Sequence, residues 1–367
     1  MVGNGAYIFK NGKNHIIRIV WSLTSSNYLC ALYMITTDII IIGAGPCGLF
    51  AVFEAGLLQL RCHLIDVLPQ AGGQLVEIYP KKPIYDIPGC PKILAGDLVT
   101  NLLKQIEPFK PGFTLGERAE TIIKSETGSF IVITNKDTKI TAPVIVIAGG
   151  LGCFEPRKPP IDNIDRLEDK GIDYFIKDPS KYADKNLVIA GGGDSALDWA
   201  IFLVEQAASL TLIHRRTEFR GAPDSVEKVM QLHKSGKIKL VTQAQVIDVI
   251  GNEKLTSVLV KHDVDGDMAI PADYFLPLFG LTPKLGPIAE WGLQLDHQAI
   301  SVNTLDYSTN IPGIYAIGDI NIYPGKLKLI LCGFHEATLM CQSAFQYIYP
   351  DKKLSFKYTT VTGIKGL

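Results

Sequence analysis

The feature that most restricts the fold of this chain is a glycine-rich turn that occurs twice. Residues 39–51 read IIIIGAGPCGLFA and residues 188–200 read VIAGGGDSALDWA, so an apolar run precedes each turn and a helix-like segment follows it. In such a turn the first glycine permits a tight bend, and the second lets a pyrophosphate approach the backbone. The third small residue lets the helix pack on the sheet. The repeat therefore predicts two dinucleotide-binding units within one chain.

Each turn lies inside a predicted strand–turn–helix–strand unit. A single GxGxxG is common in loops, but here both copies have the flanking elements that nucleotide binding requires, with the helix N-terminus facing the phosphates. The first copy is predicted as a strand at Asp38–Ile42, the turn Gly43, Gly45 and Gly48, a helix at 49–58 and a strand at Cys62–Val67. The second is predicted as a strand at Leu187–Ala190, the turn Gly191, Gly193 and Ala196, a helix through about Ala208 and a strand at Leu210–Ile213.

The residue that ends the second strand distinguishes the two ligands. Asp66 lies as far after Gly43 as His214 lies after Gly191. A carboxylate accepts hydrogen bonds from a ribose 2′-hydroxyl and repels a 2′-phosphate. His214 is instead followed by Arg215, Arg216 and, one turn on, Arg220, and guanidinium groups bind phosphate with charge-assisted hydrogen bonds. The second site is therefore predicted to bind NADP, with a solvated basic loop as the alternative.

The ligand of the first turn is then predicted to be FAD. The stretch GIYAIGDI at residues 313–320 places Asp319 after a short apolar strand and before a predicted helix. In flavoproteins with two dinucleotides such an acid meets the ribityl chain. The stretch PQAGGQL at residues 69–75 puts flexible glycines just past the Asp66 strand, where the backbone must pass close to a flat ligand.

Composition excludes several other classes of function. A net charge of −1 gives no bias toward nucleic acid, and the uncharged stretch Ile39–Phe53 is too short to span a bilayer. The seven cysteines include no CxxC and no Cys/His cluster, which argues against a zinc site and favours a reducing cytoplasm. Residues 1–33 are expected to be a disordered extension before a functional start at Met34, with a weak targeting peptide as the alternative.

From about residue 36 to 363 the chain resembles the thioredoxin-reductase-like flavoproteins. The shared order is the FAD turn, the body of the first domain, the NADPH turn with HRR, and the GD motif. The resemblance implies an α/β fold of two Rossmann-like, three-layer dinucleotide-binding domains. It also implies the boundaries: a discontinuous FAD domain at residues 34–155 and 285–367, and an inserted NADPH domain at residues 156–284.

One departure from thioredoxin reductases points to a subgroup. Those enzymes carry a redox CxxC shortly before the second glycine turn, whereas residues 171–186 here contain no cysteine, so no dithiol can relay electrons to a disulfide. The chain instead resembles the ferredoxin (flavodoxin)–NADP reductases of this fold. The matching stretches are GQLVEIYPKKPIYDIPG at 73–89, GGGDSALDW at 191–199, HRRTEFRGAP at 214–223, LGPIAEWGL at 285–293, GDINIYPGKLKLI at 318–330 and FKYTT at 356–360.

The resemblance implies which residues contact the cofactors. Besides the first turn, the FAD contacts fall on Cys47, Asp66, Gln74, Tyr79, Ala119, Phe154, Asp319 and Thr360. Tyr79 is expected to stack on one flavin face and Tyr358 to cover the other, from its own chain or from the second subunit of a homodimer; a tail tyrosine that only packs is the alternative. Cys47 is expected to contribute its backbone N–H and no thiol chemistry. The predicted NADP site consists of Gly191, Gly193, Asp194, Ser195, Ala196, His214, Arg215, Arg216 and Arg220.

The implied activity is electron transfer between NADPH and ferredoxin or flavodoxin. FAD would accept a hydride and release single electrons, so no side-chain acid, base or nucleophile and no metal is required. The competing interpretations are a thioredoxin-reductase variant, an NADPH oxidase or diaphorase, and a non-turnover NADPH sensor. Because ferredoxins are usually acidic, Lys326 and Lys328 are candidates for the docking surface, with ordinary surface lysines as the alternative.

Overall fold

The computed structural model describes residues 34–126, 128–152, 155–162, 164–282, 284–354 and 363. The chain divides by its contacts into two compact units. Within the described residues, the first unit consists of residues 34–77, 82–152 and 284 onward. The second consists of Ile78–Lys81 together with residues 155–162 and 164–282. The expectation of a disordered extension at residues 1–33 lies outside the described residues. In the described part of the chain, no helix is long and apolar enough to cross a membrane.

The first unit is built on a five-stranded parallel sheet. Its central strand, Ile39–Ile42, is buried at every residue, which explains why the sequence there is continuously apolar instead of alternating. In spatial order the strands are Ile314–Ala316, Val144–Ile147, Ile39–Ile42, Cys62–Asp66 and Gly112–Leu115. The α-helices of this unit are Pro46–Leu57, Gln74–Glu77, Ala95–Ile106 and Ile330–Ile348, and its 3₁₀ turns are Glu107–Phe109, Gly286–Glu290 and Gly318–Ile320.

Smaller sheets complete the first unit. A four-stranded sheet packs against the parallel one through a shared cluster of buried apolar side chains, among them Phe130, Ile145 and Ile314. Its strands, in spatial order, are Met34–Thr36, Lys139–Ala142, Phe130–Thr134 and Ala119–Lys124. The remaining strands are Leu295–Asp296, Ala299–Ser301 and Asn321–Ile322 in one small sheet, and Pro83–Ile84 with Ile93–Leu94 in another.

The second unit repeats this construction on a smaller scale. Its four-stranded parallel sheet has the order Lys239–Thr242, Ser209–His214, Asn186–Ala190 and Tyr274–Pro277. The remaining strands are the antiparallel Ala244–Gly251, Leu255–His262 and Gly266–Pro271, and the pair Glu155–Pro156 and Leu281–Thr282. Helices Asp194–Leu203 and Pro223–Lys234 and the 3₁₀ turns Ile164–Leu167 and Pro179–Tyr182 complete it.

Two details of the predicted elements are wrong. The helix after the second glycine turn ends at Leu203 and not near Ala208, because the N–H groups of Ala208 and Ser209 bond to the carbonyl of Lys185 to begin the next strand pair. Asp319 does not directly precede a helix. It lies in a 3₁₀ turn that begins at Gly318, whose φ of +76° an α-helix does not allow.

Candidate functional site

The first glycine turn leaves a space at the start of helix Pro46–Leu57. Gly43 has φ +108° and a Cβ there would stand 2.3 Å from the carbonyl oxygen of Ala148, so the turn lies directly against the neighbouring strand end. A Cβ on Gly48 would stand 2.1 Å from the carbonyl oxygen of Gly43, which shows how closely the helix packs on the turn. Around Gly45, by contrast, no described atom lies within 4 Å of the Cβ position. The open side therefore faces the helix N-terminus, where a pyrophosphate fits.

Asp66 holds this turn in place. Its carboxylate accepts the N–H of Ala44 at 2.6 Å and that of Leu68 at 2.9 Å. Burial raises the pKa of the Asp66 carboxyl, and backbone hydrogen bonds from Leu68, Ala44 and Val67 oppose the rise. A carboxylate has about four lone-pair positions, so beside these backbone donors Asp66 keeps acceptor capacity for a ribose hydroxyl.

The PQAGGQL segment passes over the same turn. Gly72 and Gly73 have φ +126° and +56°, a region that favours glycine, and the N–H of Gly72 donates to the carbonyl of Ala44 at 2.8 Å. A Cβ on Gly73 would stand 3.1 Å from Cα of Gly45. The helix Gln74–Glu77 begins immediately afterwards. The two glycines thus bring Gln74 close to the first turn.

Asp319 offers a second carboxylate in the first unit. In the described part of the chain nothing donates a hydrogen bond to it, and burial raises the pKa of its carboxyl. A partly buried acceptor without a partner suits the hydroxyls of a ribityl chain. Cys47 lies beside Gly318, and burial raises the pKa of the Cys47 thiol to about 12. At neutral pH it is therefore a protonated, unreactive thiol.

The sequence analysis missed a buried polar cluster next to Asp319. Glu336 is fully buried and accepts hydrogen bonds from the Gly318 N–H at 2.6 Å and from the Tyr323 hydroxyl at 2.9 Å. It also forms an ion pair with Lys326, whose side chain is 2% exposed. Lys326 therefore cannot serve as a surface lysine for a docking partner, and that candidate is wrong, whereas Lys328 is exposed. The available signal was a single carboxylate in a helix that contains no other Asp, Glu, Lys or Arg.

The second glycine turn, like the first, is closely packed at its first glycine and open at its second. A Cβ on Gly191 would stand 2.6 Å from Cβ of Ala196 and 2.7 Å from the carbonyl oxygen of Leu278. A Cβ on Gly193 would meet no described atom within 4 Å. The turn borders a cavity of about 640 Å³, which Ser195 lines from the start of helix Asp194–Leu203. This cavity is large enough for much of a dinucleotide.

Three arginines line this cavity or a second pocket that shares residues with it. Arg215 and Arg220 line the cavity, and the second pocket, of about 360 Å³, shares both residues and adds Arg216. Within the described residues none of the three is paired with a carboxylate. Their charges are therefore available to a phosphate group.

His214 and Asp194 have structural contacts in this site. The imidazole of His214 donates from Nε2 to the carbonyl of Glu218 at 3.0 Å and stacks on Phe219 at 5.0 Å between ring centroids. Burial lowers the pKa of His214, so the ring is neutral at pH 7. The Asp194 carboxylate accepts the N–H of Ala222 at 2.6 Å. Both side chains line the cavity and hold the basic loop beside the turn.

Of the other predicted FAD residues, one lies in the first unit, one lies in the second, and three fall outside the described residues. Ala119 is a buried residue at the start of strand Ala119–Lys124 in the first unit. Tyr79 belongs to the Ile78–Lys81 segment of the second unit and packs, half-buried, against an apolar cluster of that unit. The predicted roles of Phe154, Tyr358 and Thr360 fall outside the described residues.

The part of the chain that the structure describes contains no disulfide and no candidate metal site. The five cysteines described are free, and two of them, Cys62 and Cys341, are buried, which raises the pKa of each thiol. No group of three or more His, Cys, Asp or Glu side chains among these residues could hold a metal ion.

Comparisons with known proteins find one matching family and several similar chains. The model of the family described as "Pyridine nucleotide-disulphide oxidoreductase" matches residues 37–337. A protein of Christiangramia forsetii named "Ferredoxin--NADP reductase 1" is 67% identical over 336 residues, 91% of this chain and 95% of its own length. A "Ferredoxin--NADP reductase" of Flavobacterium johnsoniae is 66% identical over 334 residues, with the same coverage of both chains.

Solved structures resemble the fold at much lower sequence identity. The thioredoxin reductase of T. acidophilum matches with a TM-score of 0.74 and 24% identity, covering 85% of this chain and 98% of its own. That of Lactococcus lactis matches with a TM-score of 0.74 and 23% identity, covering 86% of this chain and 99% of its own. The predicted α/β fold with two Rossmann-like units is confirmed, and thioredoxin reductases share it.

Proposed function

This chain belongs to the pyridine nucleotide-disulphide oxidoreductase family, and we propose that it is a ferredoxin–NADP reductase that moves electrons between NADPH and ferredoxin through FAD. The resemblance predicted from the sequence is confirmed by relatives of that name at 64–67% identity. One observation carries the proposal. The two glycine turns are followed in the same register by an acid in one unit and by arginines in the other, with no cysteine pair to accept the electrons.

We propose that the first unit holds FAD. The open space at Gly45 receives the pyrophosphate, and the free acceptor positions of Asp66 bind the adenosine ribose. The Asp319 carboxylate accepts from the ribityl hydroxyls, and Gln74 is close enough to the first turn to bind the ring edge. When bound, FAD supplies the conversion between a two-electron hydride and single electrons.

The second unit is proposed to hold NADPH. The pyrophosphate fits beside Gly193 and Ser195 at the start of the helix, and Arg215, Arg216 and Arg220 bind the 2′-phosphate. His214 and Asp194 act indirectly, since each bonds to backbone of the basic loop. The proposed reaction requires no side chain of either unit to transfer a proton or to form a covalent bond.

Several finer features belong to the same proposal. Flavodoxin is an alternative single-electron carrier, and the working form is a homodimer in the cytoplasm. The FAD domain is residues 34–155 with 285–367, and the NADPH domain is residues 156–284. Tyr79 and Tyr358 are the proposed flavin-stacking residues, and Tyr358 is proposed to give way to the nicotinamide. Support for these features comes from the resemblance.

The test is a coenzyme and acceptor comparison on the purified protein. The protein should show a flavin absorption spectrum, and NADPH should reduce it at far lower concentrations than NADH does. Reduction of cytochrome c should depend on added ferredoxin. A colourless protein, or one that uses both coenzymes alike, would refute the proposal. Oxygen consumption that matches ferredoxin-dependent turnover would identify an oxidase, and bound flavin without any turnover would identify a sensor.

A further inference from the structure

A buried ion pair lies directly behind Asp319 in the first unit. The side chain of Glu336 has 0% of its surface exposed and that of Lys326 has 2%. Removing two charges from water is costly, and well-packed apolar side chains often fill such a space with equal or better stability. A contribution to stability is therefore a weak explanation for this pair.

The Glu336 carboxylate holds one loop at four points. Oε2 accepts the Gly318 N–H at 2.6 Å and Nδ2 of Asn321 at 2.9 Å. Oε1 accepts the Tyr323 hydroxyl at 2.9 Å and the Lys326 ammonium. A carboxylate has about four acceptor positions, so all are filled. The four donors come from residues 318–326, which we name the GD loop, while Glu336 belongs to the long C-terminal helix.

Gly318 links Glu336 to Asp319, because its N–H donates to the Glu336 carboxylate and Asp319 is the next residue. The φ of Gly318 is +76°, and a Cβ there would stand 3.1 Å from Sγ of Cys47. The backbone is thus held between Cys47 on one side and the Glu336 carboxylate on the other. Asp319 is the next residue, so its carboxylate is aimed by this contact.

We propose that Glu336 is a positioning residue for FAD: by holding the N–H of Gly318, it sets where the Asp319 carboxylate meets the cofactor. The inference rests on the proposed function, because it requires FAD in the first unit. Loss of the carboxylate should weaken FAD binding and leave NADPH binding in the second unit unchanged.

The first experiment replaces the carboxylate by an amide of the same shape. In Glu336→Gln the amide oxygen stays on the Lys326 ammonium, so the NH₂ group faces the Gly318 N–H, which is also a donor, and the GD loop must shift. The Kd for FAD should rise at least about tenfold, the effect of losing one charge-assisted hydrogen bond. It is measured by titrating FAD fluorescence with flavin-free protein, at a temperature where circular dichroism shows the chain folded. The matched control is Glu54→Gln, whose partly buried carboxyl lies beside Thr338 of the same helix but outside the cluster. Its Kd should stay within about twofold of wild type.

Two double variants separate positioning from simple charge pairing. In Glu336→Gln with Lys326→Met the ammonium is gone, so the amide oxygen can turn to the Gly318 N–H. FAD affinity should recover to within about threefold of wild type. In Glu336→Leu with Lys326→Met the charges are also gone but no acceptor remains, so affinity should stay at least about tenfold low. If both double variants bind FAD equally well, the carboxylate only balances the lysine and the inference is overturned.

A milder variant keeps the test decisive if these chains do not fold. Tyr323→Phe removes one donor and leaves the carboxylate on Gly318, so the Kd for FAD should rise by no more than about threefold. A rise of tenfold or more in this variant would contradict the assignment of the effect to Gly318. Titration with NADP⁺ reports on the second unit and should give the wild-type Kd in every folded variant. A wild-type protein that binds NADP⁺ but no FAD would refute the proposed function itself.

Discussion

Replacing Gly193 by alanine should separate nucleotide binding from folding in the second unit. Gly193 has φ −101° and ψ 179°, an extended backbone that alanine adopts freely, and the Cβ would meet no described atom within 4 Å. Gly→Ala changes at compatible positions raise the free energy of unfolding by about 0.4–1 kcal/mol. The melting temperature should therefore stay constant or rise by a few degrees, with about 2–4 °C per kcal/mol for a domain of this size.

The same methyl group should obstruct the coenzyme. It enters the space assigned to the NADPH pyrophosphate, where the backbone must be approached closely. The Kd for NADP⁺ should rise at least about tenfold, which corresponds to about 1.4 kcal/mol. Calorimetric titration with NADP⁺ measures the affinity, and thermal unfolding followed by circular dichroism measures the stability.

The first unit supplies the matched control. Gly45 has φ −74° and ψ −178° and an equally open Cβ position. Gly45→Ala should weaken FAD binding and leave the affinity for NADP⁺ unchanged, while Gly193→Ala should do the reverse. The reasoning is refuted if Gly193→Ala binds NADP⁺ like wild type, or if it unfolds several degrees lower.

Three further predictions concern single features of the two units. Replacing both Arg215 and Arg216 by alanine should raise KM for NADPH at least about tenfold and leave KM for NADH within about twofold, since these groups bind only the 2′-phosphate; steady-state kinetics with both coenzymes measures this. Asp319→Asn should stabilise the FAD-free protein at neutral pH, because burial raises the pKa of this carboxyl and the folded state disfavours its charge. That gain should disappear below about pH 4 in thermal unfolding, where the unfolded chain is protonated as well. Gly192→Ala should lower stability by about 1–3 kcal/mol, since its Cβ would stand 2.1 Å from Cε1 of the His214 ring; chemical denaturation measures this.

Each of these has an outcome that contradicts it. An equal rise in KM for NADPH and NADH would mean that the arginines orient the whole nucleotide. A gain from Asp319→Asn that persists at low pH would mean that ionisation is not its cause. Wild-type stability of Gly192→Ala would mean that the His214 ring does not rest against the turn.

The local elements could be predicted because their signals are local. A continuous apolar run predicts the buried strand Ile39–Ile42. The glycines predict the turn at Gly43, where a side chain would clash or strain the backbone. The acid or arginine at the end of the next strand is read from register alone. These features can be recognised from short stretches of sequence, even where a distant residue such as Ala148 also restricts them.

Errors arose where a contact between distant residues decides the outcome. Lys326 looks like a surface lysine until helix Ile330–Ile348 places Glu336 against it. His214 stays a predicted residue of the second site, but its contacts with the carbonyl of Glu218 and the face of Phe219 could not be predicted from the sequence. The sequence around a charged residue does not identify the residue it pairs with, because tertiary packing determines which groups come into contact.

By itself the sequence determined two nucleotide sites, the chemical difference between them and the lack of a cysteine relay, since glycine, acid, arginine and missing thiols act through their own chemistry. Only the tertiary structure decided which polar groups face a ligand and which hold the protein together. Asp319 keeps free acceptor positions because nothing described donates to it, whereas Glu336 has none left, because the fold surrounds it with four donors.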